Sequence, residues 1–481
     1  MFKNVMNRIS AIALQAGLLA FSAVAAAEPA QQDSGRPNVV FFLVDDLGMM
    51  DLACYGSDFH ETPNIDRLAK EGVQFANAYA SHAVCGPSRS AIMTGRFPAR
   101  LGCTSVGGSV AGNVIWPKVF KDAGYTTYFT GKWHMGSAES VQSNGFDYNV
   151  AGHSKGQPGD YYFPYKGVPS VFDVPGLEDG KDGDFLTDVL TDKALHFLDQ
   201  HGDESFLLYF SYYNVHKPAG ELGAKGNRRA QGKKEHVDYF KQKLATLPDP
   251  EQKFAEETHG NQTVWMATNQ RNAEFAAQIK SVDESVGRVM DKLQELGVAD
   301  RTVVVFTSDQ GSMGTTKGLA VSSALPYRFG KSFNYEGGLR VPLLIKWPGC
   351  AAAGSVNETV TVNTDFYPTM LEGLGLDSMP EQHLDGQSIL PAIKGALMPL
   401  DRTLYWAYPN KHGLGHKPSV AARQGPYKLI YWMADGHAEL YNVEKDPAEC
   451  INLTSSHPEV AARLMTALEE WEPMQKQMKR K

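Results

Sequence analysis

Two apolar runs, each closed by acidic residues, constrain this chain more than any other feature. Val39 to Val44 is unbroken and ends in Asp45-Asp46-Leu47-Gly48, while Thr302 to Thr307 leads into Ser308-Asp309-Gln310-Gly311. A strand without polar alternation is buried on both faces, the habit of parallel sheets covered by helices. Ligands of such sheets bind beyond the carboxyl ends of the strands. Either acidic group alone suits a turn or a helix cap. Two of them at equivalent strand ends point instead to oxygen ligands for a hard divalent cation, and the larger, more flexible shell of Ca²⁺ fits better than that of Mg²⁺.

The rest of the chain supports an α/β reading. Helical spacing runs over Pro63–Glu71, Trp116–Ala123, Asp188–Leu198 and Phe275–Leu296, and further strands are predicted at Tyr125–Thr130 and Phe206–Tyr212. Residues 137 to 183, rich in Gly, Pro, Asp and Tyr, read as long surface loops, and Ala219 to about Thr268 as a charged insertion outside the core. After Gly375 the pattern changes to short β-like runs at Thr403–Tyr408, Ser419–Arg423, Tyr427–Trp432 and Glu439–Val443, followed by an amphipathic helix from Pro458 to about Trp471. The expected architecture is a large, mostly parallel sheet flanked by helices over residues 36–375, plus a smaller C-terminal α+β subdomain with an antiparallel sheet over 376–481.

Lys3 and Arg8 precede an apolar stretch from Ile9 to Val24 that closes in Ala25-Ala26-Ala27. This reads as a cleavable signal peptide over residues 1–27, with a polar mature N-terminus over 28–35, and predicts a periplasmic or secreted protein without a membrane span. Formal net charge is −8, and removal of Lys3 and Arg8 with the leader takes it to −10. That balance argues against nucleic acid as a partner. The five cysteines, at 54, 85, 103, 350 and 450, lack zinc-site spacing. If Cys85 is set aside, Cys54, Cys103, Cys350 and Cys450 can be disulfides or buried thiols, and the pairing stays open.

Cys85 stands in Cys-Gly-Pro-Ser-Arg-Ser-Ala-Ile-Met-Thr-Gly-Arg, residues 85 to 96. Pro87 favours a first helical turn, which places the sulfur at a helix N-terminus, where free N–H groups and the dipole welcome an anion. The segment resembles the maturation signature of the type I sulfatases of the alkaline-phosphatase-like superfamily. In that family the cysteine is oxidised to Cα-formylglycine by a dedicated maturation enzyme. Cys85, Pro87, Ser88, Arg89, Thr94, Gly95 and Arg96 match it without departure.

The resemblance assigns Asp45, Asp46, Asp309, Gln310 and residue 85 to one Ca²⁺, with Gln310 standing where many relatives carry Asn. Both amides offer a carbonyl oxygen. It also places Lys132 and His134 of Gly-Lys-Trp-His, His216 of His-x-Pro, and Lys331 of Lys-x-x-x-Tyr-Glu-Gly-Gly-Leu-Arg-Val-Pro in the catalytic set with Arg89. Three acids, a Ca²⁺ and the cations Arg89, Lys132 and Lys331 make a pocket of about +2 inside an acidic protein, which draws in a sulfate monoester. The implied chemistry is attack on sulfur by the aldehyde hydrate. Protonation of the leaving oxygen falls to His216 and Lys331, sulfate binding to Lys132 and Arg89, and proton removal to His134, which releases sulfate. Trp133 reads as core, and Glu336, Arg340, Arg96 and Asp283 as structural residues or as supports behind the residues that touch substrate.

Similarity to exported bacterial relatives favours an exo-acting carbohydrate O-sulfatase. Tyr161, Tyr162, Tyr165, Tyr405, Trp406 and Tyr408, with His412 and His416, are candidates to flank a sugar, since aromatic faces and polar tips suit sugar rings. Tyr405, Trp406, His412 and His416 are singled out as substrate-binding. Packing between the two subdomains is an equal alternative for each aromatic. The competing functions are a phosphomonoester or phosphonate hydrolase of the same superfamily, and a non-catalytic glycan-binding protein if Cys85 stays a thiol.

Overall fold

The computed structural model describes residues 36–166, 174–219, 231–259, 262–315, 320–399, 401–410 and 417–479. The signal peptide and polar N-terminus expected over 1–35 lie outside these residues. In chain order the strands are β1 (Asn38–Val44), β2 (Val73–Tyr79), β3 (Thr126–Gly131), β4 (Tyr148–Val150), β5 (Phe206–Ser211), the hairpin β6 (Phe254–His259) and β7 (Gln262–Ala267), β8 (Thr302–Ser308), β9 (Leu343–Lys346), β10 (Ser355–Val362), and β11 (Leu404–Tyr408), β12 (Ser419–Gln424), β13 (Tyr427–Trp432) and β14 (Ala438–Asn442).

Eight strands form one sheet in the order β10-β2-β9-β8-β1-β5-β3-β4. All its pairings are parallel except those of β9, which runs antiparallel to β2 and β8. The unbroken apolar runs lie at its centre, where every residue of β1 and β8 is buried. Their side chains divide with period 2 between two cores. Val40, Phe42 and Val44 join Val304, Phe306, Leu208 and Phe210 on one face, beneath the helices Leu186–His201 and Ala273–Glu295. Val39, Phe41 and Leu43 join Val303, Val305, Leu207 and Tyr209 on the other, with Trp116, Phe120, Phe366 and Met370. Each fully buried large apolar side chain contributes about 1.5–3 kcal/mol, so these two layers hold the sheet.

The helix Pro63–Glu71 is capped from outside itself. Asp283, on the long helix Ala273–Glu295, accepts the N–H groups of Asn64 and Ile65, each at 2.9 Å. Those donors have no intrahelical partner, and Pro63 has no N–H to satisfy.

Strands β11 to β14 form the predicted antiparallel sheet. Leu464 and Leu468 of the helix Pro458–Glu470 cover one face, against Val420, Ala422, Leu429 and Leu440. Trp406, Ala421, Ile430 and Trp432 on the other face meet Phe329, Phe333 and Tyr335. The stretch just before this sheet packs elsewhere: Ile389, Leu390, Ala392 and Ile393 belong to the core of the large sheet.

A buried ionic cluster joins the two sheets. Lys428 Nζ on β13 lies 2.7 Å from Glu336 Oε1 and 2.7 Å from Glu449 Oε1. Glu336 Oε2 also accepts from Tyr79 Oη and Arg340 Nε, each at 2.6 Å. Glu336 and Arg340 thus have the structural role expected of them.

Two expectations need correction. Residues 137 to 183 are not all surface loop: they hold the helix Ala138–Ser143 and β4, and they bury Tyr161 and Tyr165. The segment 219–268 is not wholly outside the core, since Val237 and Phe240 of the helix Lys234–Ala245 pack on Ala273, Ala276 and Ala277. Only a narrow apolar stripe of that helix is buried, which its charged majority conceals in the sequence. Among the described residues, no helix is long and apolar enough to cross a membrane.

Candidate active site

Strand order explains why distant motifs meet. β1 and β8 are parallel neighbours with Val44 opposite Ser308, so Asp45-Asp46 and Asp309-Gln310 leave the sheet side by side. β5 lies on the other side of β1 and delivers His216 after Ser211, and β3, next to β5, delivers Lys132 and His134 after Gly131. The turns are tight. Asp46 and His134 both adopt φ of 62°, a left-handed conformation uncommon for residues other than glycine. The Asp46 N–H donates to Asp309 Oδ1 at 3.2 Å, and the Leu47 N–H to Ser308 Oγ at 3.1 Å, tying the two strand ends together.

Cys85 is the first residue of the helix Cys85–Thr94, preceded by extended Val84. All ten residues of this helix are buried, Cys85 to 3% exposure. A Cβ at Gly86 would stand 2.3 Å from Val106 O and 2.4 Å from Gly108 N, so only glycine lets the 106–108 loop cross here. Arg89, one turn on, donates through Nε to Asp309 Oδ2 at 2.7 Å and through NH1 to Lys132 O at 2.7 Å and Ser211 Oγ at 2.5 Å. Lys132 Nζ donates to Asp45 Oδ2 at 2.7 Å, and Lys331 Nζ to Asp46 at 2.6 and 2.8 Å. His134 Nδ1 lies 3.4 Å from Cys85 Sγ, and His216 Nε2 3.6 Å from Asp46 Oδ2.

Burial and charge set the protonation of this cluster. Asp309 is pushed up to about 6 by burial, against the pull of Arg89. Asp45 is likewise raised by burial, with Lys132 opposing. His134 is lowered by burial and then by Lys132 and Arg89, and His216 by burial and then by Lys331, so both imidazoles are neutral at pH 7. Burial works against the charge of Lys331 too, but Asp46 outweighs it and holds the ammonium above the ordinary lysine range.

The donor set fits a divalent cation. Asp45 Oδ1 and Gln310 Oε1 are buried acceptors without a hydrogen-bond donor. Such orphaned oxygens are costly unless a cation satisfies them. Ligand atoms of Asp45, Cys85 and Asp309 lie within 4.8 Å of one another, as do those of Asp45, Asp46 and His216.

A protein-family profile described as Sulfatase matches residues 37–376, and one described as N-sulphoglucosamine sulphohydrolase, C-terminal, matches 327–475. The chain belongs to the sulfatase family. Its architecture is the alkaline-phosphatase-like fold, and its activity class is sulfuric ester hydrolysis. This sulfatase is 29% identical to an N-acetylglucosamine-6-O-sulfatase of Bacteroides thetaiotaomicron, over 94% of the chain and 89% of the relative. The structure of Ps i-CgsB in complex with k-i-k-neocarrahexaose is 27% identical with a TM-score of 0.73, covering 92% of this chain and 94% of that one. A structure in complex with its substrate D-glucosamine-2-N,6-O-disulfate is 26% identical with a TM-score of 0.67, covering 92% and 98%.

The structure brings together Asp45, Asp46, Cys85, Arg89, Lys132, His134, His216, Asp309, Gln310 and Lys331. It does not bring Trp406 and Tyr405 to them. Trp406 is 1% exposed with Nε1 donating to Ala80 O at 2.8 Å, and Tyr405 stacks on Trp471 at 4.3 Å. Trp133 is core, as expected, and Arg96 donates to the carbonyls of Gln382 and Glu381. His412 and His416 lie outside the described residues. Asn363 was not foreseen in the sequence: its Nδ2 donates to Ser88 Oγ at 2.7 Å, and Ser88 in turn donates to the Asp309 carbonyl. Nothing in Val-Asn-Thr-Asp marks it.

Proposed function

We propose that this chain is an exported, exo-acting carbohydrate O-sulfatase that works through Cα-formylglycine at position 85 and one Ca²⁺. The observation that carries the reading is Cys85, within its intact signature, at a buried helix N-terminus beside three carboxylates and three cations. The relative named N-acetylglucosamine-6-O-sulfatase and the similar structure bound to D-glucosamine-2-N,6-O-disulfate make a 6-O-sulfated hexosamine the first substrate to test.

Asp45, Asp46, Asp309 and Gln310 would hold the Ca²⁺, which supplies Lewis-acid polarisation, while the oxidised residue 85 supplies a hydrated aldehyde as nucleophile. Arg89 and Lys132, pinned by Asp309 and Asp45, present fixed donors to the sulfate oxygens. His134 Nδ1, neutral and facing position 85, accepts a proton there. His216 Nδ1 is occupied by the Lys217 carbonyl at 2.8 Å, which fixes the ring with Nε2 toward Asp46. Lys331 Nζ keeps its proton and meets the charge on the departing sugar oxygen, with His216 beside it. Lys331 at 6% and His216 at 9% exposure are deep-set, which suits a terminal sulfate better than one inside a polymer.

The test is sulfate release from glucosamine 6-sulfate by protein made in a host that matures the cysteine, with the matched 6-phosphate alongside. Sulfate release without comparable phosphate release is the expected result, and the reverse preference overturns the reading. Peptide mass at position 85 should be lower than the cysteine form by about 18 Da, from elemental arithmetic. Cys85→Ser from the same host should keep its fold and lose turnover.

A further inference from the structure

The turn that delivers His216 is held from two sides. On one it is tied to the Asp45-Asp46 loop: the Asp45 N–H donates to Asn214 O at 2.8 Å, and the Val215 N–H to Asp45 O at 2.6 Å. On the other stands Tyr161, whose ring and polar tip could have served a sugar but which is wholly buried. Its hydroxyl lies 2.7 Å from Tyr213 O and 2.8 Å from His216 O, so one proton is shared between the two ends of the turn. The Tyr213 carbonyl also accepts the His216 N–H at 3.1 Å, whereas Gln278 Nε2, a second donor to the His216 carbonyl, stands at 3.5 Å. Tyr161 is therefore the close partner of the His216 carbonyl.

Tyr161 is itself fixed by its neighbours. Its N–H donates to Gln231 Oε1 at 2.9 Å, and Gln231 Nε2 donates to Asp160 Oδ1 at 2.9 Å. Gln278 Nε2 donates to Gln231 O at 3.0 Å, the Leu186 N–H donates to Tyr161 O at 2.8 Å, and the Tyr161 ring stacks on Phe185. Moving the ring would leave several buried hydrogen bonds unmade, which is costly. The imidazole of His216 is in turn locked to its own main chain, with Nδ1 on the Lys217 carbonyl at 2.8 Å. Wherever the His216 backbone is held, Nε2 is held too.

The geometry points to Tyr161 as a positioning residue: its hydroxyl fixes the His216 backbone, and through it the Nε2 that serves the departing sugar oxygen. The inference rests on the sulfatase reading above. A sugar alkoxide is a poor leaving group and depends on well-placed groups beside it, whereas 4-nitrophenolate departs without them. A misplacement of about 1 Å can cost about a hundredfold in rate, so a partial shift should cost about tenfold.

Tyr161→Phe removes the hydroxyl and keeps the ring. On glucosamine 6-sulfate its kcat should fall about tenfold with KM within about twofold, while kcat on 4-nitrophenyl sulfate should change by less than about twofold. In a His216→Ala background the same substitution should lower kcat on the sugar sulfate by less than about twofold, because the group it positions is gone. Gln278→Leu, which removes the second donor to that carbonyl, should show the same pattern with a loss of about threefold, and it carries the test if Tyr161→Phe does not fold. Equal fractional losses with and without His216, equal losses on the two esters, or no loss on the sugar sulfate overturn the inference while leaving the sulfatase reading intact. If the wild type cleaves only the sugar sulfate, the comparison with and without His216 decides alone. A wild type that leaves the sugar sulfate intact overturns both.

Discussion

Replacing Lys428 by Met would strip the cation that two buried carboxylates share, each facing it at 2.7 Å, all three groups being wholly buried. Glu336 keeps Arg340 and Tyr79 as partners, so its carboxylate stays compensated. Glu449 keeps the Glu336 N–H at 2.7 Å and, among the described residues, has no other ion pair. Breaking a buried pair in this way costs about 3–5 kcal/mol, chiefly the penalty of the stranded charge. The stranded group can also take up a proton. Burial and the neighbouring Glu336 already push Glu449 up to about 7 with Lys428 present, and losing Lys428 pushes it further. A carboxyl whose folded pKa lies above its unfolded value binds protons preferentially in the native state, so its contribution to stability falls as pH rises between the two. The Lys428→Met penalty should therefore be largest near pH 8 and shrink near pH 5.5. Urea unfolding at both values reads it directly, and Lys428→Met combined with Glu449→Gln should recover much of the loss at pH 8. A destabilisation below about 1 kcal/mol at pH 8, or one that does not change with pH, would refute the reasoning.

Other consequences can be checked as simply. His60 and His82 are buried neutral, pushed down to about 4 and about 3 by desolvation, so each gives stability that is full above 6.5 and lost as pH falls toward its folded value. Together they predict acid lability worth several kcal/mol, roughly 3 or more from each, and His60→Gln should flatten the lower part of the stability–pH curve. Asp283→Ala removes the cap of the helix Pro63–Glu71 and should cost about 1–3 kcal/mol in denaturant unfolding without changing KM. Gly86→Ala should abolish turnover and lower the melting temperature, because its Cβ meets backbone atoms that cannot yield. Chelation should remove activity and Ca²⁺ restore it, and calorimetry should show Ca²⁺ affinity falling sharply in Asp45→Asn.

The centre of the fold was legible because β1, β5 and β8 are buried on both faces and read as apolar runs without alternation. β2, β9 and β10 were not. Val73–Tyr79 carries Gln74 and Asn77, β9 has four residues, and β10 alternates Val with Asn, Glu and Thr, so each resembles a connecting segment. The motifs of the site were readable one at a time, but the order β8-β1-β5-β3 that makes them neighbours is a tertiary fact. Trp406 shows the same limit in reverse. An aromatic near a strand end serves a sugar or a core equally well, and the Ala80 carbonyl that decides the matter lies 326 residues away.

The complete burial of the helix Cys85–Thr94 bears on the order of events in the life of the chain. On the proposed chemistry, an enzyme that oxidises Cys85 would have to grip the residues around it, and the folded protein buries Cys85 through Gly95. Modification and folding would then be rivals in time, and a chain that folded first would keep its thiol. Adding a maturation enzyme to the purified, folded cysteine form should leave the mass at position 85 unchanged, whereas the same addition to a short peptide spanning residues 85 to 96 should lower it.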